Sequence, residues 1–193
     1  MSKVKCIGII AEDSSDFETA KILIKRILNK NTLSFKKAVG NGCGKLRRKA
    51  LDYAIDLKKR GCDMVILIHD LDRNVRHKLH EELQRKLENA PLEKKFICIP
   101  IEELEAWFLG DPDGIKDTFN LARPPRFNGP PETINSPKET LGKQIYLCSN
   151  KSTIFLNTKH NQKIAERICI ETVKQRCPSF ELLHTFVKTY EYR

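Results

Sequence analysis

The sequence lacks an apolar run that approaches the ~20 residues needed for a transmembrane helix. It also lacks a secretory signal pattern, and its seven cysteines form no C-x-x-C pair. An odd number of scattered cysteines is typical of a reducing compartment, where disulfides are rare. These absences argue against a membrane protein, a zinc-binding module and a disulfide-stabilised secreted domain. We therefore expect a cytoplasmic location.

Two common nucleotide-binding motifs are also missing. The glycine-rich loop 40–44 leads into Lys45, but Val39 stands where a phosphate-binding loop needs its first glycine, and Leu46 replaces the required hydroxyl. The dinucleotide-binding pattern G-x-G-x-x-G is absent too. The loop is either a flexible connection or a weak phosphate contact through backbone amides. None of the five histidines has an evident serine or cysteine partner, which argues against nucleophilic catalysis.

Positive charge is what the sequence has in excess. Thirty-five Lys and Arg residues face 25 Asp and Glu residues, so the formal net charge is +10 at pH 7. Such a surface attracts polyanions, and nucleic acid is the first candidate partner. The alternative is a generic solubilising surface. The 193 residues, 40% hydrophobic and 31% charged, are sufficient for one globular domain or one domain with an appended lobe.

Strands and helices are predicted to alternate along the first two thirds of the chain. Hydrophobic runs predict strands, and helical periodicity predicts the helices between them. This alternation is typical of an α/β fold with a mostly parallel sheet flanked by helices. The predicted strands are 4–11, 34–39, 63–68 and 95–100, and the predicted helices are 16–29, 45–59, 75–88 and 102–109.

The alternation stops at segment 122–137, which contains five of the nine prolines and is predicted to be a loop. Helices are predicted beyond it, at 137–147, 160–175 and 178–188. We therefore expect an α/β core over 1–121, a proline-rich loop over 122–137 and a helical C-terminal part over 138–193 that packs on the core.

The most informative residues are Asp70 and Asp72, which follow the apolar run 64–68. Residues two apart in an extended segment point the same way, so their carboxylates are predicted to converge beyond the strand end. Two close carboxylates repel each other unless a cation neutralises them, and hard oxygen ligands suit Mg²⁺ or Mn²⁺. The alternative is an ordinary turn or helix cap after a strand.

Acidic residues also follow two other predicted strands. Glu12 and Asp16 come after the first strand, and either bind the same metal or favour the first turn of a helix through its dipole. Glu102 and Glu105 are predicted to share one face of helix 102–109. That face is either solvated or functional, but Glu105 lies among apolar residues, where an unpaired carboxylate would be costly.

The order of these acidic motifs resembles the TOPRIM fold of topoisomerases, primases and OLD-class (overcoming lysogenization defect) nucleases. More specifically, the chain resembles a bacterial TOPRIM-like family catalogued as a domain of unknown function. The stretches that carry this likeness are the Asp-x-Asp strand, IEELEAWFLGD (101–111) and TKHNQKIAERICIETVKQRCPSF (158–180). One departure is Asp13, since a glycine commonly follows the first glutamate in that fold.

The resemblance implies a metal-dependent nuclease acting on DNA or RNA phosphodiesters with Mg²⁺ or Mn²⁺. Metal ligands would be Glu12, Asp16, Asp70, Asp72 and Glu105, with Glu12 bridging or acting as general base. By the same resemblance, Lys159, or else Lys163, would offset charge on the phosphate. Relatives often act with an ABC/AAA-type ATPase in phage defence, which implies such a partner, and a homodimer is a further expectation.

Two other function classes stay open. One is a non-catalytic subunit that binds nucleic acid or an ATPase and retains the acidic cluster. The other is phosphate-group transfer on a small nucleotide, but the sequence offers no identifiable base or ribose pocket. Divalent-metal binding would separate the nuclease from the first alternative.

Overall fold

The computed structural model describes residues 3–193 and contains a sheet of four parallel strands in the order β2-β1-β3-β4. The predicted parallel α/β class is confirmed. Each of the first three strands is followed by a helix, which is consistent with a Rossmann- or TOPRIM-like fold. The strands are β1 (Cys6–Ala11), β2 (Ser34–Val39), β3 (Met64–Ile68) and β4 (Lys94–Cys98).

Nine α-helices lie within residues 3–193. The first three connect the strands, and the other six follow β4. They are α1 (Ser14–Leu28), α2 (Cys43–Lys59), α3 (Arg76–Leu87), α4 (Glu105–Leu109), α5 (Pro112–Phe119), α6 (Pro137–Cys148), α7 (Asn157–Arg167), α8 (Ile170–Arg176) and α9 (Pro178–Lys188).

The central strands β1 and β3 are buried along their whole length, which explains their unbroken apolar sequences. Successive side chains point to opposite faces of the sheet. Ile7 and Ile9 face a hydrophobic cluster that includes residues of α1, α7 and α9. Ile10 faces a second cluster that includes residues of α2 and α3. The C-terminal helices therefore share a core with the sheet.

The predicted helix over 102–109 is wrong, because α4 begins only at Glu105. Residues before α4 continue beside the loop that follows β3. The Asp72 N–H donates to the Glu102 carbonyl at 3.1 Å, and Glu102 adopts a left-handed conformation with φ of 59°. Glu102 and Glu105 consequently do not share a helix face.

The predicted helix over 160–175 is also wrong, because the helix is interrupted between α7 and α8. Arg26 of α1 donates to the carbonyls of Ala165 and Ile168, both at 2.7 Å. The Cys169 N–H donates to a carboxylate oxygen of Asp111 at 2.6 Å. These contacts from distant segments satisfy the backbone groups exposed at a helix break. The short helix α5 was not predicted.

Within residues 3–193, no helix is both long enough and apolar enough to cross a bilayer. All seven cysteines in this part of the chain are free thiols.

Candidate metal centre

The loops that follow β1 and β3 leave the same edge of the sheet. Glu12 comes directly after β1, and Asp70 and Asp72 follow β3 by two and four residues. The two strands are paired neighbours, with Ile10 opposite Leu67 near their ends. Because the carboxyl ends of parallel strands meet at one edge, these loops lie side by side.

Glu12 and Asp72 meet a third side chain, Cys43. One carboxylate oxygen of each acid and the Cys43 Sγ all lie within 4.8 Å of one another. Cys43 is the first residue of α2, and its backbone N–H donates to the Glu12 carboxylate. Carboxylate oxygens suit Mg²⁺ and Mn²⁺, whereas a thiolate favours softer ions. The donor set therefore fits a divalent cation, and it fits Mn²⁺ better than Mg²⁺.

A second group of carboxylates, Asp16, Asp70 and Glu105, lies beside this triad. Burial raises the pKa of Asp70 well above its ordinary value, and repulsion from Asp16 and Glu105 adds to it. Burial also raises the pKa of Asp16 to about 7, with further repulsion from Asp13 and Glu105. Carboxylates that oppose one another's ionisation form a place where a bound cation would be stabilised.

Glu12 links the two groups electrostatically. Burial is the main cause that raises the pKa of Glu12, and repulsion from Asp72 is the next. Glu12 in turn repels Asp16. The hydrogen bond from the Cys43 N–H and the charge of Lys138 lower the pKa of Glu12 again. A half-buried carboxylate with a raised pKa is suited to accept a proton near neutral pH.

Asp72 does not continue an extended segment from Asp70, but the two carboxylates still interact, because repulsion from Asp72 is among the causes that raise the pKa of Asp70. Asp72 has a φ of 48° in the left-handed region and turns towards Cys43. Asp70 stays half-buried, and its Oδ1 accepts from the Leu104 N–H at 3.1 Å. The two carboxylates thus serve different groups. Left-handed φ is uncommon for residues other than glycine, and such strain clusters at functional sites.

Glu105 is 5% exposed and accepts a hydrogen bond from Asn161 Nδ2 at 2.9 Å. Asn161, on α7, is fully buried, and its Oδ1 has no hydrogen-bond partner among residues 3–193. An unpaired polar atom in the interior is costly. The hydrogen bond between Asn161 and Glu105 therefore holds α7 against the group of carboxylates. Among residues 3–193, the Asn161 Oδ1 remains as an acceptor without a donor.

His69 makes two hydrogen bonds that hold the loop after β3 in place. Arg47 Nε donates to His69 Nε2 at 2.9 Å, and the His69 Nδ1 lies 2.6 Å from the Asp70 carbonyl. Because Arg only donates, Nε2 accepts and Nδ1 carries the proton. Burial lowers the pKa of His69. A neutral histidine thus holds the backbone at Asp70.

Lys159 is exposed on the first turn of α7. Burial lowers the pKa of the neighbouring His160, and the charges of Lys163 and Lys159 lower it further. The start of α7 lies against the start of α1, where Ser15 Oγ donates to the Asn157 carbonyl at 3.3 Å. The positive charge that acts on Glu12 belongs instead to Lys138, at the start of α6.

Three residues of the site were missed in the sequence: Cys43, Lys138 and Asn161. Cys43 follows β2, which pairs with β1, so its position could have been found from the strand order. Lys138 and Asn161 come from helices distant in sequence, and no local pattern marks them. A cavity of about 250 Å³ lies against the site and is lined by Asp72, Arg73, Glu102, Glu103, Asn135, Ser136 and Glu139.

Comparison with known proteins gives a family match for most of the chain. No curated protein and no solved structure matches the chain. The model of a family described as a domain of unknown function (DUF4276) matches residues 11–188. The match includes all the acidic loops and the helices that support them. The chain therefore belongs to the DUF4276 family.

Proposed function

We propose that this protein is a metal-dependent nuclease that hydrolyses phosphodiester bonds of DNA or RNA. The observation that carries the proposal is the grouping of carboxylates from three segments, which follow β1, β3 and β4, at the carboxyl edge of a parallel sheet. The net charge of +10 favours a polyanionic substrate. The resemblance of the acidic motifs to the TOPRIM fold and to OLD-class nucleases points to the same chemistry.

Mg²⁺ or Mn²⁺ is the proposed cofactor. Asp72 would bind one ion beside Glu12 and Cys43, and Asp16, Asp70 and Glu105 would bind a second ion. When bound, such ions stabilise charge on the phosphate oxygens and on the leaving oxygen. Glu12 is the proposed general base, because its raised pKa equips it to accept a proton from the attacking water.

A lysine is proposed to offset the charge that develops on the phosphate. Lys159 is the candidate from the family likeness, and it follows Asn157, whose carbonyl accepts a hydrogen bond from Ser15 of α1, by two residues. Lys138 is a second candidate, because its charge already acts on Glu12.

The setting of the reaction is part of the proposal. The family likeness supports a cytoplasmic protein of a bacterial defence system, with an ABC/AAA-type ATPase as partner and a homodimer as its assembly. Basic helix surfaces would hold the nucleic-acid backbone without reading its sequence.

The test is cleavage of plasmid DNA, linear DNA, single strands and tRNA, with Mg²⁺ and Mn²⁺ supplied separately. The native protein is compared with Asp70→Asn/Asp72→Asn, which keeps side-chain shape but removes two carboxylates that could bind a metal. Asp117→Asn is the matched control, because Asp117 is exposed on α5. Metal binding is measured by calorimetry on all three proteins.

Metal-dependent cutting that is lost in the double variant and kept in Asp117→Asn supports the nuclease. Undiminished cutting by the pure double variant refutes the assigned site. Metal binding without cutting indicates an enzyme gated by its partner. Absence of both metal binding and cutting favours a non-catalytic subunit.

A further inference from the structure

The outer edge of β4 is unpaired in residues 3–193, since β4 ends the sheet and pairs only with β3. The carbonyl of Cys98 accepts from the His69 N–H at 3.1 Å, on the β3 side. Backbone groups alternate in direction along a strand. The N–H and C=O groups of Lys95, Ile97 and Ile99 therefore point outward, away from β3.

A groove runs along this open edge. Two adjoining cavities, of about 700 and 620 Å³, share His80, Glu81, Phe96 and Ile97 among their lining residues. Both exceed the cavity of about 250 Å³ at the acidic loops. Helix α3 forms one wall of the groove, and Leu182 of α9 lies in the opposite wall.

The groove combines an apolar floor with unpaired backbone groups. Phe96 lines both cavities and stacks on Phe186 of α9, with ring centroids 4.6 Å apart. Leu182 is 49% exposed and lines the second cavity, so it adds exposed apolar surface to the groove. An occupant that supplied both a backbone and apolar side chains would satisfy both features.

The shape and charge of the groove indicate the occupant. A second copy of this chain is disfavoured, because its own groove would bring the same excess of positive lining charge against this one. A single extended peptide is thin enough to enter. The charged lining residues carry three positive charges against two negative ones, namely Arg76, Arg85 and Lys95 against Glu81 and Glu88. With a net charge of +10 overall, an acidic peptide is favoured.

We propose that this groove binds an extended, acidic segment of a partner protein, which adds to the sheet as a fifth strand beside β4. Backbone hydrogen bonds to Ile97 and Ile99 provide the attachment. An apolar side chain of the segment covers Phe96 and Leu182, and its acidic residues face Arg76 or Arg85. This surface lies apart from the acidic loops and does not depend on the proposed nuclease activity.

The test uses a random peptide-display library selected on the full-length protein and counter-selected on Leu182→Asp. Leu147→Asp is the matched control, because Leu147 on α6 is 45% exposed and lies outside the groove. Thermal denaturation checks that both variants fold. Enriched peptides are synthesised with and without N-methylation of alternate amides, and their affinities are measured by fluorescence polarisation.

The expected result is enrichment of acidic peptides with alternating apolar residues. Leu182→Asp should weaken their binding about tenfold or more, as expected for a central interface residue, while Leu147→Asp leaves it unchanged. Methylation should abolish binding, and the bound peptide should slow hydrogen exchange at the Ile97 and Ile99 amides.

Three outcomes would overturn the proposal. The first is that no peptide is enriched over the Leu182→Asp background. The second is that N-methylated and unmodified peptides bind equally well, which would rule out strand addition. The third is a dimer, seen by sedimentation, that dissociates in Leu182→Asp and persists in Leu147→Asp, which would assign the groove to a second copy of the chain.

Discussion

Replacing Asp16 by asparagine is expected to stabilise the metal-free protein above neutral pH. The pKa of Asp16 is raised from 3.8 to about 7, first by burial and then by repulsion from Asp13 and Glu105. Asparagine has nearly the same shape and carries no charge. It can still accept the hydrogen bond from the Asp13 N–H at the start of α1.

The direction in which stability changes with pH follows from proton binding by Asp16. Between about pH 4 and about pH 7 the folded protein keeps a proton on Asp16 that the unfolded chain has released. The contribution of Asp16 to the free energy of unfolding is therefore fully present below its pKa in the unfolded chain. It is lost as the pH rises through its pKa in the folded protein. Each pH unit of difference corresponds to about 1.4 kcal/mol, so about three units give ~4 kcal/mol as an upper bound. Because Asp16 keeps some exposed surface, we expect ~2 kcal/mol.

The assay is urea denaturation with a chelator present at about pH 5 and about pH 8. Native protein should lose ~1 kcal/mol more than Asp16→Asn between these two conditions, because part of the loss already occurs between the unfolded pKa of 3.8 and about pH 5. Asp117→Asn, on the exposed face of α5, should behave like the native protein. An equal loss of stability in native protein and Asp16→Asn would refute the reasoning.

Three further predictions concern packing, polar burial and metal choice. Gly8→Ala should destabilise the protein by ~1–3 kcal/mol in thermal denaturation, because a Cβ would lie 2.8 Å from Leu57 Cδ1. Asn161→Ala should cost ~1–3 kcal/mol in urea, because buried Glu105 would lose its amide donor. Cys43→Ser should weaken Zn²⁺ and Mn²⁺ binding more than Mg²⁺ binding in calorimetry, because it replaces a soft donor by a hard one.

Each of these predictions has a control within the chain. Gly44→Ala should not destabilise, since the nearest neighbouring atom lies 4.0 Å from its added Cβ. Gln162→Ala, next to Asn161 on the partly exposed side of α7, should cost less than Asn161→Ala. An equal change in stability in a variant and its control would show that the contact named for that variant does not contribute to stability. A uniform loss of affinity for all three ions in Cys43→Ser would contradict thiolate ligation.

Local patterns predicted the parts of the fold that depend on neighbouring residues. The apolar runs over β1 and β3 are unbroken because both strands are covered on two faces, and this made them visible in the sequence. Period-3.6 patterns located α1, α2 and α3 for the same reason. The prediction failed at 102–109 and at 160–175. There, hydrogen bonds that Asp72 and Arg26 donate and a hydrogen bond that Asp111 accepts determine where helices begin and end.

The sequence by itself determined which acidic residues follow strand ends, since adjacency along the chain settles that. It could not determine which of them meet, because that depends on the strand order and on loop conformation. Only the tertiary structure placed Cys43 beside Glu12 and Asp72, and turned Asp70 towards Asp16 and Glu105. It also left the β4 edge open between two helices. Both features arise from contacts between segments far apart in the chain, which no local pattern encodes.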